Sequence, residues 1–405
     1  MSGLRLSRLA QRIGNSGTLA VDEKMQALKA QGRDIVSLGA GQLDFDTPGP
    51  IGKAGARAIE DGQTRYTAVA GTPALRKAIA AKFERENKLA YREDEVIAGA
   101  GAKSVIFHAL LALLDPDEVV IVPVPSWPSY ASMVQVTRGR VVGARMDAGA
   151  GYKLTVDGLV TAISEARGQA RGLILNSPHN PTGAVYTAEE YGRIAEVVRG
   201  ENLWVISDEI YEHLTYDGAF LSFAAVPGMK DRTLTVNGVS KAFAMTGWRI
   251  GYAGGPGALI KAMESLQSHT SGNPTSIAQH AAEAALRLTL EGDPEMVEER
   301  RRIKEAMLRR RELACRELAG IPEIQVVRPA GAFYVFADFS HYYGRELHGR
   351  RVQGSMDLAE ILLEHAGVAV VPGAVFGDDR CLRLSFATGV EELRVALQRV
   401  KKVFV

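Results

Sequence analysis

Five short apolar runs recur along the middle of the chain, at 95–98, 119–124, 172–175, 203–207 and 233–236. Helical stretches at 103–114, 126–136, 156–166 and 187–198 separate them. Apolar runs this short, bounded by turn residues, read as buried strands, and the longer stretches can each cross back over a sheet. The last helix marks its own ends: Thr187 and Glu190 form a capping box, and Gly200 stops it. Upstream, Thr72 is the N-cap of another helix with Pro73 in its first position, and Leu75, Ile79 and Phe83 recur at four-residue spacing. This alternation predicts an α/β fold: a mostly parallel sheet covered by helices on both faces.

In such a sheet, ligands bind beyond the carboxyl ends of the strands. Those ends carry Gly99-Ala100-Gly101-Ala102-Lys103-Ser104, Pro125-Ser126-Trp127-Pro128, Asn176-Ser177-Pro178-His179-Asn180, Asp208-Glu209-Ile210-Tyr211 and finally Lys241. Polar and aromatic residues therefore collect where a site belongs. The 99–104 loop, between a strand and a helix, is small enough for backbone amides to approach a phosphate. It is neither a nucleotide P-loop, which needs glycine where Ala102 and Ile97 stand, nor a dinucleotide fingerprint, which needs glycine at Ser104.

Lys241 lies among small and apolar neighbours, eight residues before Arg249. Most lysines are exposed, and taken alone this one is a surface lysine after a strand. Burial disfavours its charge, and a neutral amine can form an imine with a carbonyl cofactor. Together, a phosphate cradle, Trp127, Asp208, Tyr211, Asn180, Lys241 and Arg249 meet the needs of pyridoxal 5'-phosphate: a lysine for the carbonyl, an acid for the ring nitrogen, hydrogen bonds for the ring hydroxyl and an arginine for the phosphate.

Other classes recede. The net charge of +1 offers nothing global to nucleic acid or an acidic membrane, and no apolar run is long enough to span one. Cys315 and Cys381 are far apart and in no metal-type spacing, which predicts a reducing compartment and no metal site. The N-terminus, with Arg5, Arg8 and Arg12 among Leu4, Leu6, Leu9 and Ile13, reads as an amphipathic arm, and the expected location is cytoplasmic. Arg300–Arg302 and Arg309–Arg311 lie on a helix over 295–318, interspersed with glutamates at pairing distance, and are expected to form a solvated salt-bridge face. Strand-like pieces at 325–327, 332–337, 368–371 and 381–385, with a helix at 356–366, predict a second, α+β unit that recruits the N-terminal segment and its strand at 35–38.

Several motifs are specific: Asp44-Phe45-Asp46-Thr47-Pro48, Tyr66 followed by Ala70-Gly71, Asn176 to Gly183, Ser207-Asp208-Glu209-Ile210-Tyr211, and Ser240 to Arg249. With them the chain resembles the class I aminotransferases of pyridoxal-phosphate fold type I, most closely the bacterial aspartate aminotransferases of the I-beta subgroup. The likeness runs from Thr18-Leu19-Ala20 to Arg383-Leu384-Ser385-Phe386-Ala387. It implies a mostly parallel seven-stranded sheet in a large domain over 48–289, and a smaller domain built from 1–47 and 290–405. Catalytic roles would fall to Lys241, Asp208 and Tyr211. The resemblance implies that Gly101, Ala102, Lys103 and Arg249 hold the phosphate, that Trp127 stacks on the ring, and that Asn180 and Tyr211 hold its oxygen. Tyr66 would reach in from a second subunit of a homodimer with shared sites. Arg383, Asn180, Gly41, Trp127 and Lys103 would bind substrate, Lys103 at the distal carboxylate.

The chain departs from the family at Gln42-Leu43, where relatives usually read Glu-Pro, at Gly238 in place of serine, and at Gly14, where members that use prephenate carry a basic residue. The expected reaction is a ping-pong transfer of an amino group from an L-amino acid, aspartate foremost, to a 2-oxo acid, 2-oxoglutarate foremost. Alternatives are prephenate, aromatic or other amino acids, or a regulatory module that binds the same cofactor.

Overall fold

The computed structural model describes residues 4–14 and 17–405; the side chains of Arg12 and of 17–22, including Thr18, Leu19 and Ala20, lie outside the described residues. Seven strands form one sheet in the spatial order Val96–Gly99, Gly251–Gly254, Thr233–Gly238, Trp204–Asp208, Ala170–Asn176, Val119–Val124 and Arg140–Arg145. Only Gly251–Gly254 runs against the others, pairing antiparallel with both neighbours. Register aligns Asn176 with Asp208 and Asp208 with Val236, so three strand ends finish in one row.

The alternation of side chains along a strand divides the core. Val120, Val122, Ile174 and Ile206 pack toward the helices Ala102–Leu113, Ser129–Val136 and Gly257–Ser268. Ile121, Leu173, Leu175 and Val205 pack on the other face, toward Val156–Glu165 and Ala188–Gly200. The predicted caps are present: Thr72 accepts from Leu75 N, and Thr187 and Glu190 form the capping box.

Two strands of this sheet lie outside the five apolar runs taken as strands. Arg140–Arg145 is an edge strand with arginine at both ends and Gly143 inside, a polar make-up that suits an exposed edge. Gly251–Gly254 has only four residues, two of them glycine. The helix expected over 126–136 begins at Ser129, because Pro128 biases Trp127 away from helical geometry.

A four-stranded antiparallel sheet, ordered Val371–Pro372, Cys381–Ser385, Tyr334–Asp338 and Gln325–Val326, packs with the helices Pro294–Ala319 and Val390–Phe404. Val36–Ser37 joins this unit by pairing parallel with Val368–Ala369. The long helix corrects one expectation. Arg301 and Arg302 do pair with Glu298, Glu299 and Glu305 on the surface. Arg310 and Arg311 are buried instead: Arg310 forks onto Asp44 at 2.6 and 2.9 Å, and Arg311 onto Asp217 at 2.7 and 3.2 Å. The planar guanidinium suits such bidentate contacts, and the helix pins two loops on the site side of the unit.

Candidate active site

Between the row of strand ends and the smaller sheet lies a cleft of about 270 Å³. Its walls include Gly41, Ala102, Lys103, Trp127, Asn180, Asp208, Tyr211, Lys241, Arg249 and Arg383, ten of the expected site residues. Gly101 stands directly behind them. Tyr66 does not line it and is 98 % exposed.

One wall is built by close approach. Gly101, with φ +82°, precedes the helix Ala102–Leu113, whose first amides have no partner within the helix. A Cβ on Gly101 would run into the Arg249 guanidinium, and one on Gly251 would run into the Ala102 amide. Arg249 itself is left-handed, φ 57°, a conformation uncommon outside glycine, and donates to Thr246 O at 3.0 Å. Helix N-terminus and guanidinium thus converge on one anion-sized spot. The departure at Gly238 has a packing reason, since a side chain there would meet Ile210 Cδ1 at 3.0 Å and Gly251 Cα at 3.1 Å.

Lys241 rides the single turn Val239–Ala242 after the Thr233–Gly238 strand, and its amine donates to Gly41 O. Desolvation, aided by the nearby charges of Arg249 and Arg383 and opposed by Asp208, lowers its pKa to about 8. Asp208 is buried at the neighbouring strand end. Burial pushes its carboxyl up to about 6 although Tyr130, the Ile210 amide and Lys241 all favour the anion. Tyr130 Oη donates to Asp208 Oδ2 at 2.6 Å, and its ring meets Trp127 edge-on, centroids 5.2 Å apart. Tyr130 was not apparent from sequence; its only signal is its place three residues after Trp127 in a stretch that reads as helical. Tyr130→Phe is expected to raise the Asp208 pKa by about one pH unit or more, because it removes a donor to the charged form. Carboxyl-carbon NMR of the cofactor-free protein, assigned with Asp208→Asn, measures this; an unmoved midpoint would show that Tyr130 does not act on the acid.

Asn176, which opens one of the strand-end motifs without an individual role assigned from sequence, braces two strand ends: its Nδ2 donates to Asp208 O and its Oδ1 accepts from Asn180 N, both at 2.8 Å. Arg383 donates to Asn180 Oδ1 at 3.0 Å and Gly39 O at 2.7 Å. Tyr211 Oη lies 3.0 Å from Tyr334 Oη. Lys103 holds its ammonium 4.9 Å from the Trp127 ring centre, and desolvation and Arg249 lower its pKa. Thr246, which also lines the cleft, donates to Gln42 Oε1 at 3.3 Å, so the unusual Gln42 is tied to the Lys241–Arg249 loop, while Leu43 is buried in the core of the smaller unit.

The cleft therefore joins a cation-rich anion cradle, a buried acid and a lysine of lowered pKa under one aromatic wall. Comparison with known proteins agrees with this chemistry. The family model described as aminotransferase class I and II matches residues 33–400. The aspartate aminotransferase of Rhizobium meliloti (strain 1021) is 44 % identical over 403 residues, covering 98 % of this chain and 96 % of its own. An aspartate/prephenate aminotransferase of Cereibacter sphaeroides is 45 % identical over 400 residues, covering 98 % of each. Among solved structures, the Thermus thermophilus aspartate aminotransferase with maleate superposes with a TM-score of 0.92 at 42 % identity, over 99 % of this chain and 100 % of that one.

Proposed function

The chain belongs to the class I and II aminotransferases, and from that premise we propose that it moves the amino group of aspartate to 2-oxoglutarate in two half-reactions sharing one site. The observation that carries the reading is the meeting in one cleft of Lys241, Asp208 and the Gly101–Arg249 cradle with two further cations, Arg383 and Lys103. One set suits the cofactor, the other a dicarboxylic substrate.

Pyridoxal phosphate, the cofactor of this family, fits the residues present: the cradle would be filled by any Cβ at Gly101, and Asp208 offers a buried carboxylate to a protonated ring nitrogen. The Ala102 and Lys103 amides with Arg249 would hold its phosphate, Asn180 and Tyr211 its ring oxygen, and Trp127 its face. When bound, it supplies an electron-accepting ring that makes the substrate's α-proton removable.

Lys241 Nζ is the base that takes that proton and the acid that returns it; a pKa near 8 in the free chain suits both tasks at neutral pH. Asp208 stays anionic above about pH 6 and balances positive charge at the ring nitrogen. Arg383 offers its planar fork to the α-carboxylate that amino acid and oxo acid share, held in place by Asn180 and Gly39. Lys103, at the cleft mouth over Trp127, meets the distal carboxylate of aspartate or glutamate.

A half-reaction screen of amino acids against the cofactor-loaded protein, followed by absorbance, tests the assignment. Aspartate and glutamate are expected to react fastest, and Lys103→Ala to weaken both by about tenfold or more while sparing alanine. Preference for apolar amino acids would remove the role given to Lys103. Prephenate belongs in the same screen, since the Cereibacter relative carries it in its name.

A homodimer with shared sites is supported by Tyr66, too exposed at 98 % to serve the cleft of its own chain. The division into 48–289 and 1–47 with 290–405 is supported by a hydrophobic cluster spanning Ile303 to Val403 that draws in Val36, Leu38 and Leu43 and meets the larger segment at Tyr211 and Leu214. A cytoplasmic location accords with the two free cysteines, and among the described residues no helix is long and apolar enough to cross a membrane.

A further inference from the structure

Tyr334 lies outside the row of strand ends, on the Tyr334–Asp338 strand of the smaller sheet, and it is 1 % exposed. Pairing with Cys381–Ser385 sets Phe336 opposite Arg383, so Tyr334, two residues earlier on the same face, lies beside the arginine. The Arg383 guanidinium sits 4.3 Å from the Tyr334 ring centre and 4.9 Å from that of Phe376, between two aromatic rings. The other end of Tyr334 reaches the larger unit, where its hydroxyl meets that of Tyr211 at 3.0 Å. A buried tyrosine usually finds some hydrogen-bond partner. Here the partner is a residue of the cofactor pocket, and the ring covers a substrate-binding cation.

A phenol carries one proton, so in a pair of hydroxyls only one can donate to the other. For Tyr211 to donate onward to a ring oxygen, Tyr334 must be the donor within the pair. A chain of hydroxyls aligned in this way strengthens each bond along it. Arg383, stacked on the donor's ring, favours the same direction by drawing electron density from Tyr334.

We propose that Tyr334 is a positioning residue with two functions in transamination: its hydroxyl directs Tyr211 toward the cofactor's ring oxygen, and its ring face holds Arg383 in the attitude that receives the carboxylate of either substrate. The inference rests on the transamination reading above. The charged and titratable groups that face this cluster are few. Tyr211 is faced by Tyr334 and Arg383 from the smaller unit and by Asp208 from its own strand end. Lys241 is faced by Arg249, Arg383 and Asp208.

Two variants of the cofactor-loaded enzyme separate the functions. Tyr334→Phe keeps the ring and removes the donor; Tyr334→Leu removes both. The ring oxygen is anionic, so a weaker donor to it favours proton uptake nearby. The pH midpoint of the visible absorbance change is therefore expected to rise in Tyr334→Phe by roughly 0.4 to 1 unit, the worth of one neutral hydrogen bond. Succinate, a non-reacting dicarboxylate, should bind this variant within about twofold of wild type, because the cation–ring contact is intact. Tyr334→Leu should show the same spectral shift and bind succinate roughly three- to thirtyfold more weakly.

An unmoved or lowered midpoint in Tyr334→Phe, or undiminished succinate binding in Tyr334→Leu, overturns the proposal. If Tyr334→Leu does not fold by circular dichroism, Tyr334→Met, which fills the space without an aromatic face, replaces it. A wild-type protein that shows no visible absorbance change with pyridoxal phosphate, or transfers no amino group, would instead defeat the functional reading itself. A transaminating wild type with an unshifted Tyr334→Phe defeats only the role of Tyr334.

Discussion

Lys241→Ala is expected to lower transamination by about four orders of magnitude and to abolish the visible absorbance of lysine-linked pyridoxal phosphate. The size follows from the two tasks that fall on one amine. Among the described residues, it and Lys103 are the two lysines that line the cleft, and it alone sits on the turn that follows the Thr233–Gly238 strand. Its replacement removes both the attachment of the cofactor and the base for the α-proton. Lys241→Arg should be as inactive, since a guanidinium keeps its proton throughout the working pH range. A second readout needs no turnover. Desolvation beside Arg249 and Arg383 sets the Lys241 pKa near 8, and only the neutral amine attacks a carbonyl. The rate at which cofactor-free wild type captures pyridoxal phosphate should therefore rise with pH and level off above about 8. A persistent lysine-linked band in Lys241→Ala would move the attachment to Lys103 and break the mechanism.

The row of residues that lines the cleft was legible because each of its members had a local signal: an apolar run that ends, then a polar or aromatic residue where a parallel sheet exposes its ligand edge. Asn180, Asp208, Tyr211 and Lys241 all have that form. What stayed hidden lacks it. Tyr130 and Tyr334 look like ordinary core aromatics, and only tertiary structure shows that their hydroxyls end on Asp208 and Tyr211. Arg310 and Arg311 were misplaced on the surface because glutamates at helical pairing distance offered local partners. Arg311 does also bond its neighbour Glu312, but the two contacts at Asp44 and Asp217 lie 266 and 94 residues away in sequence. The antiparallel Gly251–Gly254 strand is hidden by its glycines, which the Ala102 amide requires at Gly251. Local pattern predicts which elements form; long-range ion pairs and hydroxyl contacts decide how the two units hold the site between them.

The largest expected loss of stability comes from a residue the sequence reading did not single out. Lys82 is 1 % exposed on the helix Pro73–Asn87, and its ammonium contacts Glu212, the residue after Tyr211. Asn87 Oδ1 accepts from it at 2.7 Å, and Glu86 lies 3.8 Å away. His213 joins the cluster by donating to Glu212 Oε1 at 2.8 Å and accepting from Arg300 at 2.6 Å. Burial alone would raise the Glu212 carboxyl; Lys82 and His213 overcome it and hold that carboxyl well below the usual range. Lys82→Met should therefore destabilise the cofactor-free protein by about 3–5 kcal/mol, because it leaves a buried carboxylate without its main counter-charge. The double variant Lys82→Met with Glu212→Gln should recover more than half of that loss, since removing both charges leaves neither unpaired. Denaturant midpoints measure both. A cost below about 1 kcal/mol, or a double variant that simply sums the single losses, would show that the pair does not bear on stability. The pH dependence has a fixed sign. Glu86, for which burial is outweighed by His213 and Lys82, has its pKa lowered from 4.5 to about 2, so the stability it contributes is present above about 4.5 and is lost as pH falls toward 2. Without Lys82 both carboxyls titrate higher in the folded protein, so acid costs the variant less, and the gap in stability between Lys82→Met and wild type should narrow as pH falls below about 4.5.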